Sequence, residues 1–355
     1  MEKYTSYSDL KIFHHMDCIK DFLKGKRVPP IYLRIKPTNI CNQKCYYCAY
    51  ADDSLFEKRK VDRRESIPWE IMESVLCEIG EMGVKAVTFS GGGEPLCYPY
   101  IIDTLYMVER LGVDYAMITN GQALHGEAAD CLKRAKWIRV SFDSSNSSTY
   151  ENVRGVNTHS QILANIENFA HIKNASCVLG INCVITKNNA EEVFDICRIV
   201  KKLGVDNIKL SPILVKDEQE NYHNEIKKNV MEQIQEAKQK LEDEKFRIVD
   251  KYSDDIALIN SYEKDYSICY IQNFFAVIAA DAKVYRCHQR AYTKAGEIGD
   301  LTKMSLKEIW YAQETIDKVK NFNPQKECTF RCAFDERNKL LNDFMNIDYN
   351  HINFI

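Results

Sequence analysis

The sequence predicts an α/β fold: a partial (β/α)6 barrel of the TIM type, followed by a smaller domain. Short runs rich in β-branched and apolar residues recur along the first 220 residues, each followed by a stretch of helical periodicity. Six such units imply parallel strands joined by right-handed crossovers. Polar and glycine residues gather just after the strands, at the carboxyl ends where a barrel carries its site. A doubly wound sheet is the structural alternative.

The elements follow in order. Ile31–Lys36 reads as strand one, Lys85–Ser90 as strand two and Asp114–Thr119 as strand three. Trp137–Phe142, Ser176–Ile185 and Asn207–Ser211 are strands four to six. After Pro68, Ile71, Val75, Leu76, Ile79 and Met82 share one helical face. Further helices are expected over 100–111, 123–133 and 160–172, and a helix opened by an Asn189/Glu192 capping pair follows strand five. The stretch Tyr150–Gly155 reads as polar loop. Residues 224–245 read as a long charged, solvent-facing helix. Phe274–Ala279 and Lys283–Arg286 read as a hairpin turning at Asp281-Ala282, with helices over 305–319 and 336–344 after it. The expected division is a preamble over 1–30, a barrel over 31–220, a helical connector over 221–265 and a small domain over 266–355.

Composition narrows the class. The chain of 355 residues is 45% apolar and 28% charged, which is ordinary globular composition. A net charge of −3 offers nucleic acid or anionic membrane no electrostatic attraction. No apolar run is long enough to span a bilayer, and the first residues lack the pattern of a signal peptide, so a cytoplasmic location is expected. Fourteen cysteines in that setting point to thiols and metal; a secreted, disulfide-bonded protein is the competing reading. Cys41, Cys45 and Cys48, separated by three and then two residues, leave strand one together. Three converging thiols suit an iron–sulfur cluster or a zinc ion, and a structural zinc would need a fourth ligand, which is absent nearby.

Cys41-x3-Cys45-x2-Cys48 resembles the signature of the radical S-adenosylmethionine (SAM) superfamily, and Gly92-Gly93-Glu94-Pro95 after strand two resembles that family's glycine-rich site for the SAM amino group. The resemblance implies that the three cysteines hold a 4Fe–4S cluster whose fourth iron takes SAM. The reduced cluster would then cleave SAM to a 5′-deoxyadenosyl radical that abstracts hydrogen from a substrate. It further implies SAM contacts from Tyr47, Gly92, Gly93, Glu94, Pro95, Ser141 and Asn182. Arg154 matches a loop arginine found near SAM or substrate, and Lys209 is placed to line the cavity. Plainer readings stand beside these: loop packing for Tyr47, a satisfied core serine for Ser141, a solvated arginine for Arg154.

Cys269, Cys287, Cys328 and Cys332 resemble the ligand set of an auxiliary SPASM or shorter Twitch domain. Where that family usually has a turn glycine, five positions before the second cysteine, this chain has Ala282. The set reads as four thiolates completing one auxiliary 4Fe–4S cluster, making two clusters in all; zinc is the alternative. The remaining seven cysteines read as small apolar filler. Cys97 stands apart as a possible hydrogen donor, and His288 reads as a supporting or surface group.

A fully ligated auxiliary cluster suggests electron transfer. The resemblance extends to dehydrogenases of the 2-deoxy-scyllo-inosamine type, implying oxidation of a hydroxyl-bearing carbon. The expected substrate is a small polar molecule, a sugar or aminocyclitol, with a flavodoxin- or ferredoxin-type electron donor. Lys209, Asp143 and Arg154 are the candidate bases for the hydroxyl proton. The alternatives are an epimerase using Cys97, a peptide- or protein-modifying maturase, and a non-enzymatic metal-stabilised binding protein.

Overall fold

The computed structural model describes residues 8–51, 59–214, 219–257, 263–328, 332–348 and 350–354. Its frame is one ten-stranded sheet. The strands are β1 (Tyr32–Ile35), β2 (Ala86–Phe89), β3 (Asp114–Thr119), β4 (Trp137–Ser141), β5 (Val178–Ile185), β6 (Asn207–Pro212), β7 (Arg247–Asp250), β8 (Phe275–Ile278), β9 (Lys283–Tyr285) and β10 (Glu297–Asp300). They lie in the order β10-β9-β8-β1-β2-β3-β4-β5-β6-β7. From β1 to β7 every pairing is parallel, in register Leu33↔Val87, Val87↔Tyr115 and onward. The six expected strands all form.

A seventh parallel strand, β7, falls where only a helical connector was expected. Four residues after a charged helix carry too short a pattern to announce themselves. The hairpin β8–β9 forms as read, but it does not stand apart: β8 pairs in parallel with β1, Tyr32 opposite Phe275. Its turn places Ala282 at φ 56°, so the alanine occupies the left-handed conformation that the usual glycine would take.

Period-two alternation sets the two faces of each strand. On β1, Leu33 and Ile35 are buried among the outer helices, leaving Tyr32, Arg34 and Lys36 for the concave side. The helix Trp69–Met82 buries Met72, Val75, Leu76 and Ile79 and stops at Gly83, whose φ of 74° is a left-handed cap. Arg34 on β1 and Lys209 on β6 are separated by four strands in the sheet, yet each lies within the other's electrostatic reach, so the sheet curls around a lumen.

Several local expectations are corrected. Tyr150–Arg154 is not loop but the end of a helix, Ser147–Arg154, opened by the Asn146 side chain accepting from Thr149 N at 3.0 Å. The Asn189/Glu192 capping pair does not form. Asn189 Oδ1 accepts from Thr186 N (2.7 Å), and Glu192 reaches back to Ser145 N (2.6 Å) and Asn146 Nδ2 (2.9 Å). The charged helix is two, Gln219–Asn224 and Lys227–Leu241, and the second buries Val230, Ile234 and Ala237 rather than facing solvent all round. The helix expected over 305–319 breaks at Ala312.

The N-terminal stretch is bound into the fold. Ile12, Ile19 and Val28 share a core with Phe275, Val277 and the C-terminal helix Asp335–Met345. Trp310 is fully buried and donates its indole N–H to Val28 O at 2.8 Å. Among the described residues no helix is long and apolar enough to cross a membrane.

Candidate active site

The cysteine loop is fixed before any ligand is considered. Gly93 N donates to Thr38 O (2.8 Å) and Glu94 N to Ile40 O (2.9 Å), so the glycine loop after β2 runs along the cysteine loop after β1. The contact is too close for side chains: a Cβ on Gly92 would lie 1.9 Å from Asn39 Oδ1, and one on Gly93 would lie 2.1 Å from Ile40 O. From the other flank Lys44 N donates to Arg154 O at 2.9 Å, and Gln43 Nε2 donates to Tyr150 Oη at 2.9 Å. The helix missed from the sequence is thus one wall of this loop.

Glu94 is buried, and both carboxylate oxygens are engaged. Oε1 accepts from Thr119 Oγ1 (2.6 Å) and Leu96 N (3.2 Å), and Oε2 from Asn120 N (2.6 Å). Burial pushes its pKa upward. It ties the glycine loop to the end of β3, while Pro95 begins the short turn Pro95–Cys97. Cys97 lies at the end of that turn, with its thiol against the Asn42 backbone in the cysteine loop.

Asp143, Arg154 and Tyr47 form a buried cluster behind Cys45. Asp143 Oδ2 pairs with the Arg154 guanidinium and accepts from Tyr47 Oη at 2.5 Å; its Oδ1 accepts from Val184 N at 2.8 Å. Arg154 Nη1 donates to Cys45 Sγ at 3.5 Å. Arg154 is therefore neither loop-borne nor solvated, and Tyr47 is half-buried beside it with its pKa raised by burial. Asp143 as a partner for Arg154 went unread in the sequence, although both follow β4 within thirteen residues.

Ser141, Asn182 and Lys209 are register neighbours across β4, β5 and β6 and form one row on the lumen face. Among the described residues Asn182 Oδ1 is buried without a hydrogen-bond partner, as is Ser90 Oγ at the end of β2. Lys209 makes no hydrogen bond or ion pair among the described residues. Burial, with Arg139 next in effect, lowers its pKa to about 7.

Two thiol groups result. Cys41, Cys45 and Cys48 sense one another, and burial pushes Cys41 up to about 11. Cys269, Cys287, Cys328 and Cys332 likewise sense one another; burial pushes Cys269 to about 12 and Cys328 to about 11. Asn338 Nδ2 donates to Cys269 Sγ (3.5 Å) and Phe334 N to Cys332 Sγ (3.4 Å), contacts suited to thiolates. Among the described residues no three His, Cys, Asp or Glu side chains close tightly enough around one point to hold a single ion. Sets of three and four cysteine thiols are the donors an iron–sulfur cluster takes. His288, next to Cys287, is half-buried, with Nε2 3.3 Å from Tyr50 Oη.

Comparison with known proteins agrees. Residues 35–196 match the Radical SAM superfamily, and residues 269–333 match the SPASM iron–sulfur cluster-binding domain. The chain carries a radical SAM domain followed by a SPASM iron–sulfur domain. Two curated relatives are an AdoMet-dependent heme synthase of Methanosarcina barkeri, 28% identical over 46% of this chain and 45% of the relative, and a GTP 3′,8-cyclase of Alkaliphilus oremlandii, 30% identical over 51% and 57%. The chain therefore spans about half the length of these curated relatives. Among solved structures it resembles Streptococcus suis SuiB bound to its precursor peptide SuiA (TM-score 0.63, 17% identity, 86% of this chain and 70% of that one). It also resembles anSMEcpe with bound AdoMet (TM-score 0.60, 21% identity, 82% and 83%). These likenesses establish the fold. SAM and iron–sulfur clusters are its cofactors: the SAM side suits them through its three neighbouring thiols and through Asn182 Oδ1, unpartnered among the described residues, and the auxiliary side through its four thiols.

Proposed function

We propose that this radical SAM enzyme is an oxidoreductase that dehydrogenates a hydroxyl-bearing carbon of a small polar, carbohydrate-like substrate. The observation that carries the reading is the auxiliary thiol set: Cys269, Cys287, Cys328 and Cys332 lie within electrostatic reach of one another, enough thiols to ligate a cluster at every corner. When bound, the cofactors supply a hydrogen-abstracting radical at Cys41, Cys45 and Cys48 and an electron acceptor at Cys269, Cys287, Cys328 and Cys332.

The chain's own residues then have two tasks. The Ser141–Asn182–Lys209 row lies along the lumen and presents polar atoms there, with Asn182 the proposed SAM contact. Lys209 takes the hydroxyl proton. Of the three candidate bases, Asp143 is engaged by Tyr47, Arg154 and Val184, and Arg154 is held charged beside Asp143. Among the described residues Lys209 alone of these three has no hydrogen-bond or ion-pair partner, and its lowered pKa makes a neutral amine accessible near neutral pH. The fourteen free cysteines support a cytoplasmic enzyme served by a flavodoxin- or ferredoxin-type donor.

One observation favours a second reading. Cys97 lies against the cysteine loop at Asn42, near where a hydrogen donor to a substrate radical would act in an epimerase. Mass spectrometry of product separates the two. Loss of two mass units is expected for dehydrogenation. An unchanged mass in water with a gain of one in deuterium oxide, abolished in Cys97→Ala, would replace the oxidoreductase reading with the epimerase.

A further inference from the structure

The lumen beneath the candidate site is unusually cationic. Along β1, Arg34 and Lys36 alternate with the outward Leu33 and Ile35. On β4, Arg139 alternates with Ile138 and Val140, and its guanidinium lies 5.2 Å from the Trp137 ring centroid. On β6, Lys209 alternates with Ile208 and Leu210. These groups act on one another: Lys209 senses Arg139 and Arg34, and Lys36 senses Arg59 and Arg34. The acids that reach them are Asp255, toward Lys209, and Asp281, toward Lys36, the latter already bonded to Tyr285 Oη.

Some of these cations are matched inside the protein. Lys36 Nζ donates to Tyr50 Oη at 2.7 Å and lies 4.3 Å from that ring's centroid. Arg59 donates to the carbonyls of Ala49 and Gln289. Arg34 and Lys209 are different. Neither makes a hydrogen bond or ion pair among the described residues, and Arg34 Nε is buried with no acceptor. A buried guanidinium nitrogen without an acceptor is costly, and like charges facing it add to the cost. Such an arrangement is retained where a ligand supplies the missing acceptors.

We propose that the substrate carries an anionic group, carboxylate or phosphate, that docks on Arg34 deep in the lumen, with Lys209 and Arg139 around it. This rests on the small-molecule reading above and narrows its substrate to an acid. Depth agrees with that role. Arg34 lies four residues below Thr38, about 13 Å along the strand direction, so an anion held there leaves the rest of a sugar-sized molecule reaching toward the cysteine loop.

Trp137, beside Arg139, offers a reporter. The cluster-loaded enzyme would be titrated separately with inorganic phosphate and with succinate in a zwitterionic buffer, following tryptophan fluorescence and using Trp137→Phe to assign the signal. A saturable response is expected from at least one, weakened tenfold or more in Arg34→Gln and largely restored in Arg34→Lys. Phosphate alone would assign a phosphoryl group, succinate alone a carboxylate. No saturable response from either anion, or one undiminished in Arg34→Gln, overturns the proposal. If Arg34→Gln loses its cluster absorbance, Lys209→Gln takes its place under the same criteria. Binding is read without turnover, so it can fail while dehydrogenation stands, and the product mass can fail while anion binding stands.

Discussion

Asp143 is the residue on which the SAM side of the site turns. It holds Arg154 against Cys45 and Tyr47 beneath them, with side-chain exposures of 0% for Asp143 and 5% for Arg154. Removing one partner of so buried a pair leaves an uncompensated charge and costs about 3–5 kcal/mol. Asp143→Ala is accordingly expected to lose that much in urea unfolding, and a loss below about 1 kcal/mol would show the pair to be dispensable. Lys209 makes a prediction in pH. Its folded pKa of about 7 lies below the ordinary 10.5, so unfolding takes up a proton between those values. Stability supplied through this residue therefore rises with pH from 7 to 10.5. Relative to Lys209→Met, the native enzyme should gain stability across that window; parallel pH profiles would contradict the placement. The groups facing Lys209 are Arg139, Asp255, Arg34 and Lys251, and their charges set how far the value moves.

At the scale of elements, the glycine loop after β2 is shaped by a neighbour rather than by a ligand. A Cβ at Gly93 would fall 2.1 Å from a backbone oxygen, which cannot swing away as a side chain would. Gly93→Ala is expected to displace the cysteine loop and halve the iron bound after reconstitution, while the auxiliary thiols still load. Full loading would show that the loop yields. The elements also show what the sequence made legible. The six strands and both cysteine groups were readable because each rests on a short-range pattern: alternation, spacing, a strand end. The helix Ser147–Arg154 was obscured by its polar composition, although Asn146 is a good opening residue. Glu94's service to Thr119 and Asn120 was unreadable, because it depends on a contact 25 and 26 residues away. The cations on β1 could have been found, since Leu33-Arg34-Ile35-Lys36 alternates plainly.

For the whole molecule, the pairing of β8 with β1 matters most. It makes the SPASM hairpin part of the barrel sheet, and the core around β1 runs without interruption into Val284, Ile298 and Trp310. A shared sheet and core should unfold as one unit. A single denaturation transition is expected by circular dichroism and by the iron–sulfur absorbance together. An earlier, separate loss of the SPASM region would refute this coupling.

The same pairing has a consequence for synthesis. β1 leaves the ribosome more than 240 residues before the strand that covers its second edge. Until Phe275–Ile278 has emerged, the nascent barrel carries an open edge beside its most cationic strand. Such an edge invites pairing with other chains. The segment from Phe275 onward thus acts as a closing seam, and a ribosome that stalls before it would leave an aggregation-prone product rather than a smaller working enzyme.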